Sequence, residues 1–384
     1  MSFLLSCLPC FNSTPELKIN KVKFKILKLL GEGGFSYVYL VQASNGATYA
    51  LKKIRCPFGA ESVKLALREV ENYKEFHSPY IIRAIDSSIV QEEDGSKTVY
   101  ILLPNFDGGS LQDIINKNVL NGENIDEDDA IRLFVGVCRG LQSMHRHHLN
   151  NNSNSNLHSN QIPELIGSGN LLNSSIENDE NDNLLNSNGT ESEVDTLNDS
   201  INDSINDPII LDDVIQSGTE MTDTIAFAHK DIKPANIMLS RDGIPVLCDL
   251  GSCGKARIKA KTRIEAISIQ ELAAEHSTLS YRAPELLDVK TGSQIDEKID
   301  IWSLGCTLYA LLFGCSPFEF EENEHGGSMT LAISTGKYSF PNDKVNLYSD
   351  EIKDLVKFCL IVDPKERPTI EKVLSRAVSV QSGR

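Results

Sequence analysis

The sequence predicts an α+β, bilobal protein, in which a small antiparallel β-sheet with one helix precedes a larger, mostly helical lobe that contains a long disordered insertion. Three observations lead to this prediction. Strand-like segments fill most of the stretch from Lys23 to Leu103, and helical periodicity dominates from Gly109 onward. Residues 148–224 are acidic, rich in Asn and Ser, and poor in aromatic side chains.

These changes in pattern divide the chain into six parts. They are a tail at 1–20 with two cysteines that are candidates for lipidation, the small lobe at 21–106, the first part of the large lobe at 107–147, the insertion at 148–224, the rest of the large lobe at 225–378 and a short tail at 379–384.

The small lobe begins with the strand-like segments KFKILKLLG, YVYLVQA and TYALKKI. Asn45-Gly46 lies between the second and third and predicts a tight hairpin, because both residue types accept a positive φ. ESVKLALREVENYKEF changes to helical spacing, and YIIRAIDSSIV and KTVYILLP then complete the predicted sheet. The apolar stripe of this helix consists of Val63, Leu67, Val70 and either Tyr73 or Lys74.

The large lobe opens with a helix in DEDDAIRLFVGVCRGLQSMH, whose acidic start suits the helix dipole. Its core-facing stripe consists of Ile131, Val135, Cys138 and either Leu141 or Gln142. Two further helices are expected, in IDIWSLGCTLYALLFG and YSDEIKDLVKFCLI.

Charge is unevenly distributed along the chain. Between Asn150 and Ala228 there are fifteen Asp and Glu and no Lys or Arg, so the rest of the chain, with 37 basic and 39 acidic residues, has a net charge of −2 out of −17. A nearly neutral folded part argues against a polyanion-binding surface, and nucleic acid is not expected as a ligand. The insertion buries too little apolar surface to offset its ordering entropy, and a fold tolerates such a loop.

The nine cysteines are scattered and odd in number, which predicts free thiols. Cys7 and Cys10 form the one close pair, in MSFLLSCLPCF, and no second Cys or His pair follows at zinc-ligand spacing. S-acylation of this apolar tip and a merely frayed tail are the two alternatives. Ser2 takes the place of the glycine that myristoylation needs. No apolar run approaches the ~20 residues of a membrane span.

The Gly-rich segment GEGGFS is a candidate phosphate loop, although many such turns are only tight hairpins. Its place between two strands argues against a dinucleotide-binding fingerprint or a Walker loop, which open a helix. Lys52 on the next strand and Glu69 on the helix would form a buried pair that directs an ammonium group at a phosphate. The simpler alternative is a solvated strand lysine.

HKDIKPAN and VLCDLGS combine the residue types that phosphoryl transfer requires. Asn236 and Asp249 offer oxygen ligands for a hard cation such as Mg²⁺. Asp231 is able to accept a proton from an incoming hydroxyl, and Lys233 to neutralise charge on the transferred group. Phosphoryl transfer depends on positioning and charge neutralisation more than on covalent chemistry, so this set predicts it.

With GEGGFSYV, YALK, REV, HKDIKPAN, DLG, APE and DIWSLG in this order, the sequence resembles the eukaryotic protein kinases over about residues 24–375, apart from the insertion. The resemblance implies the bilobal protein-kinase fold and a protein serine/threonine kinase that uses ATP and Mg²⁺, phosphorylates protein substrates and is able to autophosphorylate. Implied catalytic residues are Lys52, which holds the phosphates and pairs with Glu69, the base Asp231, and Lys233. Asn236 and Asp249 are the implied metal ligands.

The resemblance also implies nucleotide contacts and structural pairs. The remaining nucleotide-binding positions are Gly31, Glu32, Gly33, Gly34, Ser36, Val38, Ala50, Leu103 and Phe106. Thr278 is implied to lie in the loop that receives the substrate residue, and Glu285 to pair with Arg367. Structural roles are expected for His229, Leu250, Asp300 and Trp302.

Two departures from the kinase pattern lie in the active-site motifs. Ser36 replaces the third glycine of the loop, and Lys230 replaces the usual Arg of the H-R-D motif. Lys binds phosphate without the bidentate fork of Arg, so basal activity without a phosphorylated activation loop is expected.

The segment from Asp249 to Glu285 is long for this element, and TRIEAISIQELAAEH within it predicts a helix. Thr262 and Glu265 form a capping-box pattern. Ile264, Ile267 and Leu272 are expected to pack on the large lobe.

With such a helix and the segments VLCDLGS, STLSYRAPEL and DEKIDIWSLGCTLYALLFG, the sequence resembles the Numb-associated kinase group. The resemblance is closest to its lipid-anchored branch, which includes the myristoylated and palmitoylated kinase and a fungal vacuolar-membrane relative. This implies acylation of Cys7 and Cys10 and a location on the cytoplasmic face of an internal membrane such as the vacuolar membrane; otherwise the protein is cytoplasmic. A pseudokinase-like membrane scaffold is the alternative function, and it is disfavoured by the presence of every residue of one set: Lys52, Glu69, Asp231, Asn236 and Asp249. A small-molecule phosphotransferase is disfavoured by APE and DIWSLG.

Overall fold

The computed structural model describes residues 16–20, 22–57, 59–148 and 224–383, without the side chains of Glu16, His148 and Thr224. Cys7, Cys10 and the interior of the predicted insertion lie outside the described residues. The described residues belong to a compact unit that comprises 1–166 and 221–384.

A six-stranded antiparallel sheet forms the small lobe. Its strands are β1 (Glu16–Ile19), β2 (Val22–Glu32), β3 (Ser36–Ala43), β4 (Thr48–Cys56), β5 (Asp86–Gln91) and β6 (Lys97–Pro104), in the spatial order β1-β2-β3-β4-β6-β5. The β3–β4 hairpin turns at Asn45-Gly46 with a φ of 85° at Gly46, which confirms the predicted turn.

Strand β1 corrects the expectation that residues 1–20 are a tail. Leu17 and Ile19 alternate into a core on the outer face of the sheet, where Ile19 is fully buried against Phe24 and Val41. The four-residue segment ELKI is too short to show a clear period in the sequence, and its pairing with β2 decides its structure.

One helix, α1 (Ala60–Glu75), covers the inner face of the sheet. It buries Ala66, Glu69, Val70 and Tyr73, so Tyr73 rather than Lys74 completes the predicted stripe. Val70 and Tyr73 pack in one core with side chains of β4 and β6, and this contact fixes the helix relative to the strand that carries Lys52.

The large lobe is mostly helical, as predicted. Its helices are α2 (Leu111–Asn121), α3 (Glu127–His145), α4 (Arg263–His276), α5 (Lys298–Phe313), α6 (Pro317–His325), α7 (Met329–Thr335), α8 (Asp350–Cys359) and α9 (Ile370–Ser382). All residues of α5 after its first are buried, so this helix forms the centre of the lobe. The α3 stripe is buried as predicted, and Leu141 rather than Gln142 completes it.

Four short antiparallel strand pairs connect these helices. They are β7 (His147–His148) with β8 (Thr224–Ile225), β9 (Phe227–Ala228) with β12 (Gly254–Lys255), β10 (Ile237–Leu239) with β11 (Pro245–Leu247), and β13 (Ile258–Lys259) with β14 (Gln294–Ile295). In the first pair, His148 is the Cα partner of Thr224. The two ends of the predicted insertion therefore meet on the large lobe, as the fold requires of a loop inserted between neighbouring strands.

Helix α9 corrects the C-terminal boundary. It packs against α3 and α8 and continues to Ser382, so most of the predicted tail at 379–384 is helical. Val373 and Ala377, one turn apart, are buried and hold the helix on the lobe.

Helix α4 forms where predicted, with the Thr262–Glu265 capping box present, but it packs through a different face. Ile264, Ile267 and Leu272 are 79%, 47% and 47% exposed. The contacts come instead from buried Ala266 and partly buried Ile269 and Ala273. Those three positions lie on one side of a helix at 100° per residue, whereas the three larger side chains lie on the opposite side.

The seven cysteines in the described part of the chain are free thiols, as predicted, and six of them are buried. Among the described helices, none is by itself both long and apolar enough to cross a membrane. The bent pair α5 and α6, at 61° to each other, passes that test only when the two are combined.

Candidate active site

The centre of the site is a buried lysine between two carboxylates. Strand β4 places Lys52 so that its Nζ lies 2.6 Å from Glu69 Oε1 on α1 and 2.7 Å from Asp249 Oδ1 after β11. The predicted Lys52–Glu69 pair is therefore present, and Asp249 joins it from 197 residues away. Three separate elements thus converge on one ammonium group.

The charges of this cluster stabilise one another. Burial alone would lower the pKa of Lys52, but Glu69 and Asp249 outweigh it and raise that pKa above its usual range. For Asp249, burial would raise the pKa, and the positive charge of Lys52 lowers it instead. Burial raises the pKa of Glu69 in spite of Lys52. Lys52 and Asp249 are therefore both ionised at neutral pH, as phosphate and metal binding require.

Residues that sequence reasoning missed hold this cluster in place. The Tyr73 hydroxyl donates to Glu69 Oε1 at 3.1 Å. Asn72 on α1 donates from Nδ2 to the carbonyls of Leu250 and Cys253 at 2.9 and 3.0 Å, which links α1 to the segment after Asp249. The sequence offered one signal for Asn72, since it lies three residues after Glu69 and so on the same side of the helix.

The second part of the site is the loop between β9 and β10. Lys233 Nζ lies 2.8 Å from Asp231 Oδ2 and donates to Thr278 Oγ1 at 2.7 Å. Thr278 in turn donates to Asp231 Oδ1 from both its hydroxyl, at 3.1 Å, and its backbone N–H, at 3.0 Å. Asp231 is thus within hydrogen-bond reach of a hydroxyl from the predicted substrate loop, and Lys233 is beside it.

Hydrogen bonds from its side-chain nitrogen fix the orientation of Asn236. Its Nδ2 donates to the backbone oxygen and to Oδ2 of Asp231, both at 2.9 Å. Those bonds commit the nitrogen and leave the amide oxygen as a ligand atom. Asp249 likewise uses Oδ1 for Lys52 and retains its other oxygen, while its side chain is 49% exposed to the cleft. Two oxygen donors of this kind fit a hard divalent cation.

A buried carboxylate positions the loop. Asp300 on α5 accepts the backbone N–H groups of His229 and Lys230 at 2.8 and 2.9 Å, and His145 Nε2 lies 3.0 Å from it. These bonds hold Lys230 at a φ of 69°, a conformation that L-residues rarely adopt. His229, Leu250, Asp300 and Trp302 are all fully buried, as expected of structural residues.

The glycine-rich segment is the turn between β2 and β3. Gly33 N–H donates to Ser36 O at 2.7 Å, and a Cβ on Gly33 would lie 3.1 Å from Ser36 Oγ, so this turn is tight. A Cβ on Gly31 or Gly34 would have no atom within 4 Å, so these glycines leave the backbone open to a ligand. Glu32, which lies between Gly31 and Gly33, is exposed.

The other predicted nucleotide positions lie on neighbouring strands at one side of Lys52. Val38 on β3 is the Cα partner of Lys52 and of Gly31, and Ala50 on β4 is the partner of Leu103 on β6. Phe106 follows β6 and packs against the main core. The strand register therefore places these nucleotide positions around the cleft. The two predicted lipidation sites, Cys7 and Cys10, lie outside the described residues.

Comparisons with known proteins agree with this arrangement. A family model described as the protein kinase domain matches residues 24–150 and 214–378. Serine/threonine-protein kinase ENV7 of Saccharomyces cerevisiae is 42% identical over 94% of this chain and 93% of its own length. Serine/threonine-protein kinase ppk13 of Schizosaccharomyces pombe is 36% identical, over 93% and 90%. Serine/threonine-protein kinase 16 of Rattus norvegicus is 30% identical, over 97% and 95%.

Proposed function

The chain belongs to the protein kinase family, and on that premise we propose that it transfers the γ-phosphate of Mg-ATP to Ser and Thr hydroxyls. Six side chains carry out this reaction: Lys52, Glu69, Asp231, Lys233, Asn236 and Asp249. The chain is a serine/threonine protein kinase, and ATP with a divalent metal is the cofactor pair of this family. The proposal assigns roles to individual residues and names magnesium as the metal. The observation on which it depends is the position of Lys52 Nζ between Glu69 and Asp249.

Lys52 and the glycine-rich turn would bind the nucleotide phosphates. Glu69 holds the ammonium group of Lys52 in place, and the raised pKa keeps that group charged throughout the neutral range. The open backbone of Gly31 and Gly34 allows close approach of phosphate oxygens, which bind well to N–H groups. Both features supply positive charge where a triphosphate needs it.

Asp231 would accept the proton of the attacking hydroxyl. Its Oδ1 already accepts a hydrogen bond from the Thr278 hydroxyl at 3.1 Å, which supports the approach of a substrate hydroxyl to the same oxygen. Lys233, 2.8 Å from Asp231 Oδ2, would place a positive charge beside the transferred group. Thr278 then forms part of the surface that receives the substrate.

Asn236 and Asp249 would hold the metal ion. Their donors are one amide oxygen and one carboxylate oxygen, which suit Mg²⁺ because that ion usually keeps several sites for water and phosphate oxygens. When bound, the metal neutralises charge on the phosphates. The lowered pKa of Asp249 keeps the carboxylate ionised for this role.

Transfer of labelled phosphate tests this proposal. Purified chain with γ-labelled ATP and Mg²⁺ should phosphorylate protein. Asp249→Ala should abolish transfer, and Asp231→Asn should lower kcat by about 10²–10⁴-fold while nucleotide binding remains. Asp242→Ala, in an exposed turn, is the matched control. Wild-type protein that binds nucleotide but transfers no phosphate would instead support the pseudokinase scaffold.

We also propose that acyl chains on Cys7 and Cys10 attach the kinase to the cytoplasmic face of an internal membrane, the vacuolar membrane being the specific candidate. The apolar tip with two cysteines and the resemblance to the lipid-anchored kinase branch support this. A thioester-exchange assay and membrane fractionation of Cys7→Ser/Cys10→Ser are the test. A thioester-exchange signal that is absent from the parent, or that Cys7→Ser/Cys10→Ser leaves unchanged, would exclude this anchor.

A further inference from the structure

Strands β1 and β2 present lysines on one face of the sheet edge. Lys18 on β1 is the Cα partner of Lys23 on β2, and Lys25 lies two residues further along β2. Because side chains alternate between the faces of a strand, these three lysines share a face. Their neighbours Ile19 and Phe24 point to the other face, where they are buried in the outer core.

A bulge adds a fourth lysine to this face. Lys25 pairs with Gln42 and Lys28 with Leu40, while the register shifts between Ile26 and Lys28. Gln42 and Leu40 are two apart on β3 and so lie on the same face, which places Lys28 in line with Lys25. We call Lys18, Lys23, Lys25 and Lys28 the lysine face; all four residues are exposed.

The lysine face is a local excess of positive charge in an acidic protein. Residues 16–28 contain five lysines and one acid, Glu16, for a net charge of +4, whereas the whole chain has −17. The net charge of the folded part is close to zero, and this average does not show the positive charge of residues 16–28.

The chain connects the lysine face closely to the cysteine tip. Cys10 lies only six residues before Glu16, where β1 begins. Even a fully extended chain spans no more than about 20 Å over that distance. An acyl chain on Cys10 in a bilayer would therefore keep this edge of the sheet near the lipid headgroups.

We propose that the lysine face binds the anionic surface of a membrane, as a second contact beside the acyl anchor. This rests on the membrane attachment proposed above. One or two acyl chains and a polybasic surface together give stable attachment, whereas a single chain binds reversibly. The face contains Lys and no Arg, which suits a diffuse anionic surface better than the bidentate recognition of one phosphate group.

Vesicle sedimentation of unacylated full-length protein tests the lysine face separately from the anchor. Full-length Cys7→Ser/Cys10→Ser protein should pellet with phosphatidylcholine vesicles that contain about 30% phosphatidylserine, and not with pure phosphatidylcholine. Each lysine contributes roughly fivefold to affinity for an anionic surface, so Lys18→Gln/Lys23→Gln/Lys25→Gln should weaken binding about a hundredfold. Added salt should weaken the binding further.

A matched triple variant controls for net charge. Lys117→Gln/Lys365→Gln/Lys372→Gln removes three exposed lysines of the large lobe and should bind vesicles like the parent. Both triple variants should retain phosphate transfer in solution, which shows that they fold. Equal loss in the two triple variants, no loss in the first, or absence of binding to anionic vesicles by the parent would overturn the proposal. Tighter binding to polyglutamate than to vesicles would assign the face to an acidic protein instead.

Discussion

Removing the charge of Glu285 should destabilise the large lobe far more than removing that of an equally well-formed exposed pair. Arg367 Nη1 and Nη2 lie 2.7 and 2.9 Å from the two oxygens of Glu285, which confirms the pair expected from the sequence. The Arg367 side chain is 0% exposed and Glu285 is 13% exposed. Among the described residues that accept hydrogen bonds from this guanidinium group, Glu285 is the only one that accepts through a carboxylate.

The remaining contacts of Arg367 are neutral. Its guanidinium donates to the backbone oxygens of Ile361, Lys298 and Val362 at 2.8, 2.9 and 3.1 Å and lies 5.3 Å from the ring centroid of Trp302. Carbonyl oxygens satisfy the N–H groups but do not cancel the charge. Leaving a buried charge unpaired typically costs about 3–5 kcal/mol, a large part of the ~5–15 kcal/mol that stabilises a typical protein.

The Arg257–Glu297 pair is the matched control. It has the same residue types and also forms two hydrogen bonds, here from Nε and Nη2, at 3.2 and 2.9 Å from the Glu297 oxygens. Its arginine side chain, however, is 72% exposed. Glu297→Gln should then cost only about 0–1 kcal/mol, because water solvates the released guanidinium group.

Urea unfolding followed by fluorescence measures the two variants against the parent. Glu285→Gln should lose about 3–5 kcal/mol of the free energy of unfolding, and Glu297→Gln no more than about 1 kcal/mol. If Glu285→Gln costs less than about 1 kcal/mol, or the same as Glu297→Gln, then burial of the guanidinium group does not control the energy of this pair.

Three further outcomes are expected. Ile269→Asp, on the packed side of α4, should abolish phosphate transfer, whereas Ile267→Asp, on the exposed side, should retain it; equal effects would contradict the packing. Replacing 149–223 by a two-residue turn between β7 and β8 should retain activity and raise stability by up to ~3 kcal/mol, and a lower unfolding midpoint would count against this organisation. Burial would raise the pKa of Asp300, but hydrogen bonds from His145 and from the His229 backbone outweigh it and lower that pKa, so the contribution of Asp300 to stability is present above pH 3.8 and lost as the pH falls through its folded pKa. Asp300→Asn should therefore flatten the acid limb of an unfolding curve measured against pH, and an unchanged acid limb would refute it.

The chemistry of the site was predictable because it depends on residue types in a fixed order. Lys52, Glu69 and Asp249 were identified from motifs that each occupy a few positions, and the structure brings them together. The residues that hold these active-site side chains in place were not predictable in this way. Asn72 donates to the carbonyls of Leu250 and Cys253, and no sequence pattern links residues about 180 positions apart through backbone oxygens.

The fold errors have a common physical cause. The face of α4 was assigned from its largest apolar side chains, yet Ala266 is the buried residue of this helix, and a small residue there allows the helix to approach the lobe. Strand β1 was missed because pairing with β2, rather than its own pattern, determines its conformation. In both cases tertiary contacts overrode local propensity, which short segments express weakly.

The segment between Asp249 and Glu285 is held by packing and hydrogen bonds, and we expect these contacts to stabilise the active site of a kinase with Lys230 at the H-R-D position. Burial lowers the pKa of Lys230, and its Nζ would lie 3.3 Å from a Cβ on Gly254, so the ammonium group is directed into the protein. A half-buried lysine that is directed inward lacks the exposed bidentate fork with which Arg binds phosphate, so we expect it to bind a phosphorylated loop poorly. We expect the Thr278–Asp231 hydrogen bonds and the packing of α4 to supply the order that a phosphate would otherwise provide.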